Sequence, residues 1–120
     1  MTSKDEVDLF LLNFKSKLGI WGYLLVQRQK NTETLLELEF TSKKVKELLL
    51  DLELEDFSEG PIKDEILHFT ELWVFGKTIK DREVYIKIAL GSFNEKTVCI
   101  SFHFAKYPMT FPFKEQKTLG

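Results

Sequence analysis

Four side chains on two neighbouring stretches have the types and spacing for acid–base and phosphate chemistry. Tyr85 and Lys87 lie in Arg82–Leu90, and Ser101 and His103 lie in Lys96–Phe104. Each stretch alternates apolar and polar residues. Val84, Ile86, Ile88 and Leu90 share one parity, as do Val98, Ile100, Phe102 and Phe104. Period-two alternation predicts strands with one face on a core. If the two strands pair antiparallel, Tyr85, Lys87, Ser101 and His103 share the opposite face. Imidazole titrates near neutrality, so His103 is the natural acid–base group there. A tyrosine hydroxyl donates to a phosphate or a leaving oxygen, and its ring stacks on a base. Lysines such as Lys87 and Lys77 neutralise phosphate charge. Acid–base chemistry at a phosphate calls on such groups: a base, an acid and cations for the charge that develops.

Trp73 and Phe75 alternate with Leu72 and Val74 and share parity with Lys77. Aromatics interleaved with lysine on the polar face would make a single-strand platform. Each residue also has an ordinary structural role. Tyr85 can pack under a helix with its hydroxyl wet. Trp73 and Phe75 can be core, His103 a satisfied strand histidine and Lys87 a solvated strand residue. His68 precedes the first of these strands. Cys99 has no base placed beside it by the sequence and reads as a buried structural thiol.

The elements that must hold this face are legible in outline. Ser3-Lys-Asp-Glu6 fits a capping box, and Val7, Phe10, Leu11, Phe14 and Leu18 follow at helical spacing. The first helix is predicted over about Lys4–Leu18, with Gly19 as its C-cap. Residues 20–27 fit either a short strand or a second helix, with Trp21 and Tyr23 tying helices to sheet. Asn31 or Thr32 is placed to cap one short helix, and Thr41 or Ser42 to cap another. The two resemble a helix-turn-helix pair, but neither is rich in the Arg, Asn or Gln that would read bases, so they are packing helices. Glu59-Gly60-Pro61 breaks the chain between a mainly helical region, 1–60, and an antiparallel meander, 66–104. The predicted strands are 69–75, 82–90 and 97–104. Gly91 and Asn94 turn the chain between the last two, and residues 105–120 form an extended tail with two prolines. The fold class is α+β, an antiparallel sheet packed against N-terminal helices, in a single domain over 1–120.

Composition narrows the function. The chain has 120 residues, 43% apolar, with eleven Phe. No run is apolar enough to span a bilayer, and no secretory leader is evident, so no membrane partner is expected. One cysteine excludes an internal disulfide and points to the cytoplasm. No Cys/His spacing suggests a metal site, and no cofactor is implied. Net charge is −2, but unevenly spread: residues 1–71 carry a net −6 and residues 72–120 a net +4. A basic sheet half suits a local anion-binding surface.

Three segments in order carry a family resemblance: Leu50-Asp-Leu-Glu-Leu-Glu-Asp-Phe57, Val84-Tyr-Ile-Lys-Ile88 and Ile100-Ser-Phe102. Together, over about residues 8–104, they resemble the MqsR toxins, a branch of the RelE-superfamily endoribonucleases of bacterial toxin–antitoxin pairs. The resemblance implies a small RelE-like α+β hydrolase that cleaves mRNA, free or on the ribosome, without a metal. It also implies a cognate antitoxin protein as partner. The family tyrosine maps to Tyr85 and the adjacent lysine to Lys87, while a family lysine after Ser-Phe meets His103. A family lysine after Asp-Phe meets Ser58 or Glu59, so its role is lost or passes to Lys63. A family glutamine has no counterpart near Glu71 or Leu72. The implied catalytic set is Tyr85, His103 and Lys87, with Lys77, Trp73, Lys63 and Ser101 contacting RNA. The alternative is a non-catalytic interaction module with a degenerate toxin-like fold.

Overall fold

A computed structural model describes residues 2–63 and 71–114. The fold is α+β, and the described residues form three helices and a five-stranded mixed sheet. Helix α1 (Lys4–Trp21) is followed by β1 (Tyr23–Leu25), α2 (Gln29–Leu38) and α3 (Ser42–Leu50). A 3-10 turn, Leu54–Asp56, leads into β2 (Phe57–Ile62), β3 (Leu72–Ile79), β4 (Arg82–Ala89) and β5 (Thr97–Phe104). The order across the sheet is β1-β5-β4-β3-β2. β1 runs parallel to β5, and every other pair is antiparallel.

The capping box forms as the sequence predicts: Ser3 Oγ accepts from Glu6 N–H, and Glu6 Oε1 accepts from Ser3 N–H. The helix outruns its predicted end, because the left-handed residue that closes it is Gly22 (φ 79°) rather than Gly19. Residues 20–27 therefore resolve into the last helical turn and β1. Val7, Phe10, Leu11, Phe14 and Leu18 line the buried stripe of α1. They pack with Val45 and Leu49 of α3 against Trp73, Phe75, Val84, Ile86, Ile88 and Phe102 of the sheet. Each fully buried side chain of this size contributes about 1.5–3 kcal/mol by leaving water. Tyr23 OH donates to Ser42 C=O at 2.7 Å, tying β1 to α3.

Region 1–60 is less purely helical than expected, since β1 and most of β2 fall within it. β3 begins at Leu72 and runs to Ile79, beyond the predicted end at Phe75; the predicted segment before Glu71, like His68, lies outside the described residues. The turn to β4 is only Lys80-Asp81, both with positive φ (51° and 65°), which suits the right-handed twist of a two-residue hairpin. Asn94 and Gly91 take positive φ (58° and 76°) between β4 and β5, as expected.

The largest departure is in β5. Opposite β4 the register runs Val84↔Phe104, Tyr85↔His103, Ile86↔Phe102, Lys87↔Ser101, and then shifts to Ile88↔Cys99 and Ala89↔Val98. Ile100 is thus the extra residue of a β-bulge, and the bulge reverses the facing of everything before it. Phe102 stays on the helix-covered face and Cys99 joins it there, while Val98 and Ile100 move to the outer face with Leu72 and Ala89. The expected grouping of Val98 and Ile100 with Phe102 does not hold.

Helix α2 explains how the bulge is held. β1 covers only Thr97–Cys99 of β5, so the edge beyond Cys99 lacks a strand partner. Asn31, only 1% exposed, supplies one with its side chain. Its Oδ1 accepts from Phe102 N–H at 2.9 Å, and its Nδ2 donates to Ile100 C=O and Val26 C=O, each at 3.0 Å. Thr34 Oγ1 accepts from Phe104 N–H at 3.4 Å. Asn31 is therefore not a helix cap, since α2 starts two residues earlier and Arg28 occupies its N-cap. An amide presents donors and an acceptor on one fork, as a strand backbone does, and so blunts the open edge. Thr41 caps α3 as expected.

Candidate functional site

The outer face of the sheet brings Tyr85, Lys87, Ser101 and His103 together. Tyr85 and His103 are direct cross-strand partners, and their rings stack with centroids 5.3 Å apart and planes 15° from parallel. Lys87 and Ser101 form the next pair, and Lys87 Nζ lies 5.8 Å from the Tyr85 ring centroid. His103 Nδ1 is 3.0 Å from Phe104 C=O. With the proton on Nδ1 donated there, Nε2 keeps its lone pair for a ligand. Burial pushes the Tyr85 hydroxyl above the ordinary tyrosine range; Glu59 pushes the same way and Arg28 opposes it. The hydroxyl is therefore a proton donor throughout the physiological range.

The tail, expected to be extended, crosses this outer face as far as Lys114, the last described residue. Met109 N–H donates to Glu83 Oε1 at 3.2 Å, and the Met109 and Phe111 side chains fill the space above Gly76. Phe113 then stacks on Phe57, with centroids 5.6 Å apart. Gly76 pairs with Tyr85 across β3 and β4, so its missing side chain lets the tail approach beside the Tyr85–His103 pair. Tail and sheet enclose a cleft of about 320 Å³. Ser58, Glu59, Tyr85 and His103 line it from the sheet side, and Ala105–Thr110 from the tail. Tyr107, 72% exposed, brings an aromatic ring to the rim, with Lys106 Nζ 5.6 Å from its centroid.

Other predicted site residues are elsewhere. Trp73, Phe75 and Lys77 do share a face, but β3 turns it toward the helices, not toward Tyr85. Trp73 is 7% exposed and stacks on Phe10 at 4.5 Å. It is core, and it offers no platform beside the cleft. Lys77 pairs with Asp56 at 2.8 Å and Asp51 at 3.5 Å. Burial would lower its pKa, but the hydrogen bond and charge of Asp56, with the charge of Asp51, raise it instead. Lys63 is exposed beyond the end of β2 and does not line the cleft. Ser101 is on the expected face, but buried.

Sequence reasoning missed several residues of the site, Tyr107, Glu59 and Arg28 among them. Glu59 puts a carboxylate on the cleft wall, at one of the two positions, with Ser58, where the resemblance would place a lysine. Arg28 donates from Nη1 to Ser101 Oγ at 3.3 Å, from the start of α2 and 73 positions away in sequence. A long-range contact of this kind leaves no local pattern. Among the described residues, no three His, Cys, Asp or Glu side chains converge in a way that could hold a metal. No helix among them is long and apolar enough to cross a membrane. No protein-family model, curated protein or solved structure matches the chain.

Proposed function

We propose that the chain is a metal-independent endoribonuclease with a RelE-like fold of MqsR type, using the Tyr85–His103 cleft. The observation that carries the reading is the cross-strand stack of Tyr85 on His103 beside Lys87. His103 Nε2 takes the proton of a ribose 2′-OH, and the 2′-oxygen forms a bond to the adjacent phosphorus. The bond from phosphorus to the 5′-oxygen breaks, and the leaving oxygen takes the Tyr85 proton. One product strand ends in a 2′,3′-cyclic phosphate, the other in a free 5′-hydroxyl. Lys87 offsets the charge that builds on the phosphorane oxygens. Tyr107 offers a ring on which a flanking base can stack.

The toxin role, the cognate antitoxin and an mRNA substrate belong to the same reading. Their support is the ordered resemblance of Leu50–Phe57, Val84–Ile88 and Ile100–Phe102. One observation favours a second reading, a non-catalytic interaction module with a degenerate toxin-like fold. The Glu59 carboxylate stands in the cleft, where it would repel a phosphate.

The test is cleavage of a labelled single-stranded RNA by purified protein in the presence of a chelator. His103→Ala is expected to slow cleavage by about two to four orders of magnitude with the fold intact by circular dichroism. Tyr85→Phe keeps the ring and should also slow it, and a 2′-deoxy substitution at the cut site should block it. Expression alone should arrest growth, and His103→Ala should relieve the arrest. Wild-type rates from both variants would overturn the site assignment. RNA binding without cleavage by the wild-type protein would leave the interaction-module reading.

A further inference from the structure

The Tyr85–His103 row accounts for one phosphate. In the row beside it Ser101 and Arg28 have no assigned work, and Lys87 stands between the two rows. Ser101 faces Lys87 across β4 and β5, and the Arg28 guanidinium reaches over from α2 to the Ser101 hydroxyl. Three cations elsewhere pair with carboxylates: Arg82 with Glu37, Lys44 with Glu47, and Lys77 with Asp51 and Asp56. Among the described residues neither Arg28 nor Lys87 has a carboxylate partner. A guanidinium bonded to that hydroxyl and a lysine on the facing strand position can converge on one anion.

The chemistry of the site fits a phosphodiester. Ser101 is 1% exposed, so its hydroxyl serves to hold the guanidinium rather than to meet a ligand. Arg28 spends one of its five N–H donors on Ser101 and has others free to fork onto two phosphate oxygens. Lys87, half-buried, adds a point charge. Positions two apart on a strand are separated by about 6.6 Å, comparable to the length of one extended nucleotide. Asn31 fixes the arrangement, because its bonds to Ile100 C=O and Phe102 N–H bracket Ser101 and dock the start of α2.

We propose that Arg28 and Lys87, with Ser101 as the guanidinium's anchor, form a second phosphate subsite for single-stranded RNA, one nucleotide removed from the bond cut at Tyr85–His103. The inference rests on the endoribonuclease reading and makes the strand run along β4 and β5. Arg28 is a binding residue of the RNA backbone and takes no part in proton transfer.

The experiment uses the His103→Ala protein, in which cleavage is slowed, and a short fluorescein-labelled single-stranded RNA of mixed sequence carrying a 2′-deoxy residue at the cut site. Affinity is measured by anisotropy over a series of salt concentrations. One phosphate contact contributes about 0.7 to the slope of log affinity against log salt for a single strand. Arg28→Gln, which can still bond Ser101 Oγ, should flatten the slope by about that amount, and Lys87→Ala likewise. Arg28→Lys should keep the slope and weaken binding. Lys43→Ala, an equal charge change on α3, should leave the slope unaltered. In an RNA whose neighbouring phosphate is replaced by a neutral methylphosphonate, Arg28→Gln should cost nothing further. An unchanged slope for Arg28→Gln, or an equal fall for Lys43→Ala, would overturn the subsite while leaving the endoribonuclease reading in place. No binding by the background protein would overturn both.

Discussion

Replacing Asn31 with alanine tests the central structural claim, that one buried amide holds the bulge on which the site depends. The Asn31 side chain makes three hydrogen bonds of 2.9–3.0 Å, to Phe102 N–H, Ile100 C=O and Val26 C=O. At a net of about 1 kcal/mol each, their loss costs about 3 kcal/mol. Phe102 N–H would then be left without its acceptor at a buried edge, which adds up to about 1–2 kcal/mol. The expected loss of about 3–5 kcal/mol is a large share of the 5–15 kcal/mol that holds a typical domain folded. Asn31→Asp keeps the acceptor for Phe102 but turns a carboxylate toward two carbonyl oxygens. Its folded-state pKa should therefore rise, and the variant should regain stability as pH falls and protonation supplies a donor. The assay is urea denaturation followed by circular dichroism, with hydrogen exchange at the Phe102 amide as a local readout. In the folded fraction, RNA cleavage should also fall, because Ser101 and His103 flank the released segment. A loss below about 1 kcal/mol, with the Phe102 amide still protected, would refute the reasoning.

Three further outcomes follow from the same geometry. Gly76→Ala would set a Cβ 2.8–2.9 Å from Met109 and Phe111, so the tail should lift; limited proteolysis after residue 105 should quicken, and RNA cleavage should weaken with little change in the melting of the sheet. Lys77→Ala should leave the salt slope of RNA binding unchanged, since Lys77 faces away from the cleft, and should cost about 1–2 kcal/mol in urea denaturation by stranding half-buried Asp56. Burial pushes the Cys99 thiol from 9.0 up to about 12. Its contribution to stability is therefore whole below pH 9.0 and lost as pH rises toward about 12. Cys99→Ala should make alkaline unfolding less steep, and the native thiol should resist a thiol reagent until the chain unfolds.

The sequence by itself determined the elements whose signals are local. Ser3 and Glu6 form a box across one helical turn, and the stripe from Val7 to Leu18 has a single period. In β4, Val84, Ile86 and Ile88 face the helices while Tyr85 and Lys87 do not, because polar and apolar residues alternate cleanly there. The join of Tyr85 to His103 was legible for the same reason, since His103 lies on the C-terminal side of the bulge, where the register is unbroken. Tertiary structure alone decided the rest. Val98, Cys99 and Ile100 are apolar on both faces, so alternation could not say which pointed inward. Asn31 decided it by bonding to the backbone on either side of Ser101. Trp73, Phe75 and Lys77 kept their shared parity but faced the core, because β3 is buried on both sides and its pattern has no polar face to orient it. Arg28 and Glu59 reached the site from α2 and β2 through contacts that span the chain. Such contacts form only when the sheet brings distant segments together, and no window of sequence contains both partners.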